Sequence, residues 1–233
     1  MPDKKKRCVI ITAMHDADII NPITTSIDIG VEDYVVCADG GFLYAQKEGI
    51  IPDIIIGDLD SVSKEDVEAS KIDYETYNTE KDDTDTMLCA KHAISKGFEK
   101  VVIVGGIGGS LDHTMANIQT LSFLIDLERE AAILSPKEKL IMLNGDTVKI
   151  ASGIERKPKP PAELEFSGTP GKKFSLFSYE ERTTDVCIEN AKYLLDKAVL
   201  TQSYPIGARN EFINEQPVKI KIGFGRLLII IGR

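Results

Sequence analysis

Residues 52–61 read PDIIIGDLDS: three isoleucines and a glycine, then two aspartates one residue apart and a serine. A short β-branched run between punctuating residues is the pattern of a strand buried on both faces, as in a parallel sheet. Ionised carboxylates do not belong in such an interior. The strand is therefore expected over Asp53–Gly57, with Asp58 and Asp60 emerging at its carboxyl end. In open α/β sheets ligands bind beyond that end of the strands, so both aspartates become candidate site residues.

The same kind of run recurs at Cys8–Thr12, Tyr34–Ala38, Val101–Gly105 and Ala131–Leu134. Between the runs, DTDTMLCAKHAISKGFEK (83–100) sets Met87, Leu88, Ala90, Ala93 and Ile94 on one helical face, with Gly97 at the helix end. A second helix, within DHTMANIQTLSFLIDLERE (112–130), sets Met115, Ile118, Leu121, Phe123 and Ile125 across a broad apolar face. Strands alternating with helices predict a doubly wound, mostly parallel α/β/α domain.

After Pro136 the helical spacing stops, and KLIMLNGDTVKI, KKFSLFSY, KAVLTQSY and PVKIKIGFGRLLIII read as short strands. Asn144-Gly145 between apolar runs is a hairpin signal. The expected organisation is an α/β domain over residues 1–135 followed by a smaller all-β sandwich domain over 136–233. The proline-rich stretch 155–173, ERKPKPPAELEFSGTPGKK, reads as an extended surface loop.

The 233 residues are 42% hydrophobic, enough for a proper core. A formal net charge of −9 argues against a nucleic-acid surface, which draws on clustered Lys and Arg, and points to a small-molecule partner. Cys8, Cys37, Cys89 and Cys187 form no CxxC pair, which fits a reducing, cytoplasmic setting. The early segment CVIITAMHDADII is broken by His15, Asp16 and Asp18 and reads as neither a signal peptide nor a membrane span.

The residues that finish each expected strand form a set. CADGG supplies Asp39, Gly40 and Gly41; GDLDS supplies Asp58, Asp60 and Ser61. KDDTD opens a helix with Asp82, Thr84 and Asp85, and GGIGGSLDH follows the strand at Val101 with Gly108, Gly109, Ser110, Asp112 and His113. Each piece alone has an ordinary reading: Thr84, Asp85 or Asp112 as helix caps, Gly40-Gly41 as a turn, GGIGGS as a flexible loop, His113 as a surface histidine. Gathered at one rim, the carboxylates would repel one another unless a cation intervened. An oxygen-rich donor set of that kind suits Mg²⁺ bound together with substrate phosphates. The glycine loop and the helix behind it would supply backbone N–H groups to phosphate oxygens. The chain has no GxxxxGK[ST] loop, no kinase HRD or DFG signature, and no GxGxxG after its first strand.

The ordered series ADGG, PDIIIGDLDS, KDDTDTMLCAKHAISKG and GGIGGSLDHTMANIQTL across residues 38–121 resembles the thiamin pyrophosphokinase family. Weaker likeness continues through NAKYLL (190–195), GARNEF (207–212) and GFGRLLIII (223–231). The resemblance implies a homodimer in which the α/β domain holds ATP and Mg²⁺ while the β-sandwich helps to hold thiamin. It implies transfer of the β,γ-pyrophosphoryl group of ATP to the thiamin hydroxyl, with release of AMP. By match of motif, Asp58, Asp60 and Asp85 become the metal-binding and catalytic carboxylates. Asp39, Ser61, Asp82, Thr84 and Asp112 take supporting roles, and His113 and Asn117 become nucleotide-side contacts. Arg209, Asn210 and Glu211 fall on the thiamin side. Two positions depart from the family pattern: Ser110 stands where an arginine is usual, and Arg209 where a serine is common. Two other readings remain beside this one: a nucleotide-sugar transferase that holds its metal through D-x-D, and a catalytically impaired protein that only binds nucleotide or thiamin.

Overall fold

Strand β1 (Arg7–Ile11) has Cys8, Val9, Ile10 and Ile11 completely buried, in a computed structural model that describes residues 5–13, 19–77, 82–145 and 162–233. The chain divides into two units, Met1–Pro136 and Lys137–Arg233. In the first unit β1 pairs in parallel with β2 (Asp33–Ala38) on one side and β5 (Lys100–Val104) on the other. The sheet continues in parallel through β3 (Ile54–Gly57) and β4 (Asp73–Thr76) beyond β2, and through β6 (Glu130–Leu134) beyond β5. Its order is β6-β5-β1-β2-β3-β4.

That order places the helices. From β1 to β4 the chain steps outward in one direction, then returns to lay β5 on the free side of β1. Crossovers between parallel strands are right-handed, so reversing direction moves the connecting helices to the opposite face. Helices α1 (Pro22–Ser26), α2 (Gly41–Lys47) and α3 (Lys64–Ser70) belong to the first set. Ile23, Phe42, Ala45 and Val67 from these helices, with Ile27 just after α1, pack with Val9, Ile11, Val35, Cys37 and Ile55 of the sheet. Helices α4 (Asp85–Ser95) and α5 (Leu111–Asp126) belong to the second set, α4 lying on β1, β2 and β3 and α5 against β6 and α4.

Local sequence explains the ends of α4. The Thr84 hydroxyl accepts a hydrogen bond from the Met87 N–H at 3.2 Å, and Gly97, with φ +82°, ends the turn after the C-cap. The buried face of α5 keeps Ile118 and Leu121 of the expected set but is rotated away from Met115 and Phe123. Asn117, Ile118, Thr120, Leu121 and Leu124 are buried, whereas Met115 is 46% exposed and Phe123 is half-buried. Polar Asn117 and Thr120 sit inside because each has a local acceptor, the Gly106 and Ala116 carbonyls respectively.

The second unit is all-β. One antiparallel sheet has the order β12-β9-β14-β7, from β12 (Asn210–Glu211), β9 (Lys173–Ser178), β14 (Arg226–Gly232) and β7 (Glu138–Asn144). The other has the order β11-β10-β13-β8, from β11 (Leu195–Thr201), β10 (Arg182–Glu189), β13 (Val218–Ile222) and β8 (Ala162–Phe166). Phe174, Leu176, Leu227, Ile229 and Ile231 from the first face Val186, Ile188, Leu200, Val218, Ile220 and Ile222 from the second in a single core. This is the layered arrangement of a β-sandwich.

Stretch 155–173 departs from its reading as a loop. Its residues 162–166, AELEF, form β8 and pair along β13. Glu163 and Glu165 face out to Lys221 and Lys219 at 2.7 and 2.8 Å, while Leu164 and Phe166 pack on the core. The proline count hid a period-two alternation. Residues 155–161 lie outside the described residues, as does the continuation of the expected hairpin after Gly145. The antiparallel partner of β7 is β14. No helix among the described residues is long and apolar enough to cross a membrane.

An ion pair closes the amino-terminal edge of the parallel sheet. Asp33, 6% exposed, accepts from Arg7 Nε at 2.7 Å, from Arg7 Nη2 at 2.9 Å and from the Gly30 N–H at 3.0 Å. Burial alone would raise the Asp33 carboxyl, but the Arg7 and Gly30 bonds outweigh it and hold it below the usual carboxylate range. A depressed folded-state pKa means stability that is complete above the unfolded value of about 3.9 and is lost as pH falls through the folded value. Asp33→Asn is expected to cost about 1.5–3 kcal/mol at neutral pH. In urea melts against pH, the variant is expected to lose less additional stability than the wild type below about pH 4.

Candidate active site

At the carboxyl end of the first unit's sheet lies a crevice of about 380 Å³, at the point where the strand order reverses. Thr12 and Ala13 follow β1 there, Asp39 and Gly40 follow β2, Asp58, Asp60 and Ser61 follow β3, and Gly106 follows β5. Thr84, Asp85 and Thr86 from the start of α4 and His113, Ala116 and Asn117 from α5 complete the wall.

The backbone works to bring the carboxylates together. Leu59, between the two aspartates, is left-handed at φ +58°, a strained choice for this residue type. Its side chain packs against the core while Asp58 and Asp60 turn to the rim, and the Asp60 N–H donates to Asp58 Oδ1 at 3.3 Å. Asp39 is also left-handed, φ +38°, and its N–H donates to the Ile56 carbonyl at 3.0 Å. Such close passage of β2 and β3 needs a glycine: a Cβ on Gly57 would lie 2.8 Å from the Asp39 Cβ. The result is that one oxygen from each of Asp39, Asp58 and Asp60 falls within 4.8 Å of the others.

Asp39 is 7% exposed, and its Oδ1 is buried with no hydrogen-bond partner among the described residues. A buried carboxylate oxygen without a donor is costly, and a cation is the economical way to satisfy it. Three carboxylates, all oxygen donors, fit a hard divalent ion such as Mg²⁺. Asp39 thus joins Asp58 and Asp60 in the position that sequence matching assigns to Asp85. Asp85 lines the same crevice from the first turn of α4, half-buried.

The remaining expected residues sort by position. Gly40, Ser61, Thr84, His113 and Asn117 line the crevice. The Ser61 hydroxyl donates to Asp60 Oδ1 at 2.9 Å. Gly41 is buried in the packing of α2 on β1, where a Cβ would lie 2.1 Å from the Ile11 carbonyl oxygen. Asp82, Gly108, Gly109, Ser110 and Asp112 are exposed and do not line the crevice. Hydrogen bonds from the Ser110 side chain and the His113 N–H hold the Asp112 carboxyl below its ordinary value. The Gly106 N–H, expected to face phosphate, is instead donated to the Ala13 carbonyl at 3.3 Å. Thr12, Ala13, Thr86 and Ala116 were not singled out from sequence, because nothing in their residue type marks them; only the position of Thr12 at a strand end could have drawn attention.

Arg209, Asn210 and Glu211 belong to the second unit. Buried Asn210 accepts from the Tyr193 N–H at 3.0 Å and donates to the Tyr193 carbonyl at 2.7 Å. Glu211 is paired with Lys173, and with Lys192 at 3.1 Å, and these bonds hold its carboxyl low. Arg209 is exposed, at φ +57°, with its N–H on Ser175 Oγ at 2.9 Å.

Fold and crevice together define a doubly wound α/β protein with an acidic, cation-adapted cleft at its switch point, continued by a β-sandwich. Residues 29–133 match the family model for the thiamin pyrophosphokinase catalytic domain. The chain is similar to thiamine pyrophosphokinase of Bacillus subtilis, 24% identical over 182 residues that cover 76% of this chain and 78% of the relative. It is 29% identical to thiamine pyrophosphokinase 2 of Oryza sativa over 150 residues, 54% of this chain and 55% of the rice protein, so that match spans little more than half the relative. The fold is that of the crystal structure of the Bacillus subtilis thiamine pyrophosphokinase, with a TM-score of 0.79 at 21% identity over 97% of this chain and 99% of the other. Yeast thiamin pyrophosphokinase gives a TM-score of 0.71 at 15% identity, over 99% and 87% of the two chains.

Like charges this close should strain the cation-free protein. Relieving one of them with Asp60→Asn removes a repulsion of about 1 kcal/mol. Without divalent ions the variant is therefore expected to melt about 2–4 °C higher than the wild type. Added MgCl₂ is expected to raise the wild-type midpoint more than that of the variant, in parallel thermal melts.

Proposed function

We propose that the protein is an ATP:thiamin diphosphotransferase, moving the β,γ-pyrophosphoryl group of ATP to the primary hydroxyl of thiamin. The single observation that carries this reading is the convergence of Asp39, Asp58 and Asp60 within 4.8 Å at the switch-point crevice of a chain whose residues 29–133 match the thiamin pyrophosphokinase catalytic-domain model. Thiamin oxygen bonds to the β-phosphorus, the bond from that phosphorus to the α,β-bridging oxygen breaks, and AMP leaves with that oxygen. Mg²⁺, when bound, neutralises charge on the polyphosphate as it transfers.

The chain's own groups do the rest. Asp39, Asp58 and Asp60 would hold the cation, and Asp85, from the first turn of α4, takes the proton of the thiamin hydroxyl as general base. The stretch of α5 that carries His113, Ala116 and Asn117 lies beside the polyphosphate, oriented for in-line displacement, where positioning outweighs covalent chemistry. The thiazolium cation suits an acidic rim. The second unit helps to hold thiamin through the surface that carries Arg209, and the enzyme works as a cytoplasmic homodimer. The D-x-D nucleotide-sugar transferase reading is not favoured by the family match.

Incubation of the purified chain with ATP, MgCl₂ and thiamin is expected to yield AMP and thiamin diphosphate in equal amounts by chromatography. ATP binding without either product would leave a nucleotide-binding protein and sink the transferase reading. Asp58→Asn should keep the fold, because the side chain stands at the rim, and lower turnover by at least about a hundredfold, the scale of losing a group that stabilises transition-state charge.

A further inference from the structure

The floor of the crevice is tied together where β1 and β5 diverge. The Thr12 N–H donates to the Val104 carbonyl at 3.0 Å and the Thr12 hydroxyl approaches the same oxygen at 3.2 Å. The Gly106 N–H donates to the Ala13 carbonyl, and Asn117 Nδ2, reaching back from the second turn of α5, donates to the Gly106 carbonyl at 2.9 Å. Asn117 is 6% exposed, and Gly106 is left-handed at φ +74°. A Cβ on Gly106 would lie 2.4 Å from Asn117 Nδ2 and 3.2 Å from Thr12 Oγ1. Both polar groups of Gly106 are thus spent on the protein, and neither is left for a ligand.

We propose that Asn117 is a positioning residue for the polyphosphate half of the crevice: by holding the Gly106 carbonyl it fixes the left-handed turn at the crevice floor, and so the placement of Gly106 against the α5 residues His113 and Ala116 that line the wall beside it. The inference rests on ATP binding in the proposed function and not on the identity of the acceptor. A left-handed turn has no regular ladder to hold it, so one buried amide supplies the constraint that the strand no longer gives. Asn117 acts through Gly106, so its loss weakens ATP binding and leaves thiamin alone.

The test is calorimetric titration of the full chain with ATP and MgCl₂ in the absence of thiamin, for wild type, Asn117→Ala and Asn117→Asp, followed by the thiamin KM from AMP release. Asn117→Ala is expected to raise the ATP Kd about tenfold, the scale of one buried hydrogen bond. Asn117→Asp, equal in size but presenting a carboxylate to the Gly106 carbonyl, is expected to raise it further. The thiamin KM is expected to stay within about twofold wherever turnover is measurable, a split that general structural damage does not produce. If Asn117→Ala fails to fold, the isosteric Asn117→Asp carries the comparison. Unchanged ATP affinity, equal losses for ATP and thiamin, unfolding of both variants, or a wild type that does not bind ATP each overturn the proposal. A wild type that binds ATP but releases no AMP with thiamin defeats the transferase reading instead, and the titrations still decide the role of Asn117.

Discussion

Three negative charges held within 4.8 Å are the constraint around which the first unit is arranged. Carboxylates so placed repel one another, and Asp39 also carries an oxygen, Oδ1, that is buried without a donor among the described residues. The fold meets that cost through backbone geometry. Asp39 and Leu59 both adopt left-handed conformations, Gly57 leaves room where β2 and β3 pass, and the Leu59 side chain is anchored in the core. Strain of this kind persists only where the surroundings over-determine it, and here the surroundings are the buried strands β2 and β3.

The sheet's topology supplies the other side of the crevice. Because the chain returns from β4 to lay β5 beside β1, two strand ends diverge at the switch point, and the helices on opposite faces of the sheet leave a gap there. Thr12, Ala13, Gly106 and Asn117 close its floor with hydrogen bonds within the protein. The crevice is consequently acidic on the β2 and β3 side and built from backbone and amide groups on the β5 side. A cation-bound polyphosphate has the same polarity, with metal at one end and phosphate oxygens along its length.

The second unit obeys different rules. Strands β8 and β13 alternate, one side packing in a shared core with Phe174 and Phe212, the other carrying charge. Asn210 and Glu211 illustrate how motif matching and packing divide a residue's role: one is fully occupied with the Tyr193 backbone, the other with Lys173 and Lys192. Their side chains brace the short strand β12 against its surroundings, and Arg209 is the member of the triplet whose side chain reaches solvent.

The sequence by itself determined the parallel sheet, the β-sandwich and most of the acidic rim, because these depend on local patterns: apolar runs of strand length, helical spacing, and Asp at strand ends. PDIIIGDLDS carried nearly all of that for β3. Where two patterns overlapped the reading fell short: the prolines at 158, 160 and 161 masked the alternation of β8, and on α5 the polar Asn117 and Thr120 are buried beside the expected Ile118 and Leu121. Only the tertiary structure decided that Asp39 stands with Asp58 and Asp60, and that the Gly106 amide is already spent on Ala13. The physical reason is that each of these facts is a distance between groups far apart in the chain, set by strand register and by left-handed backbone turns rather than by the character of any one residue.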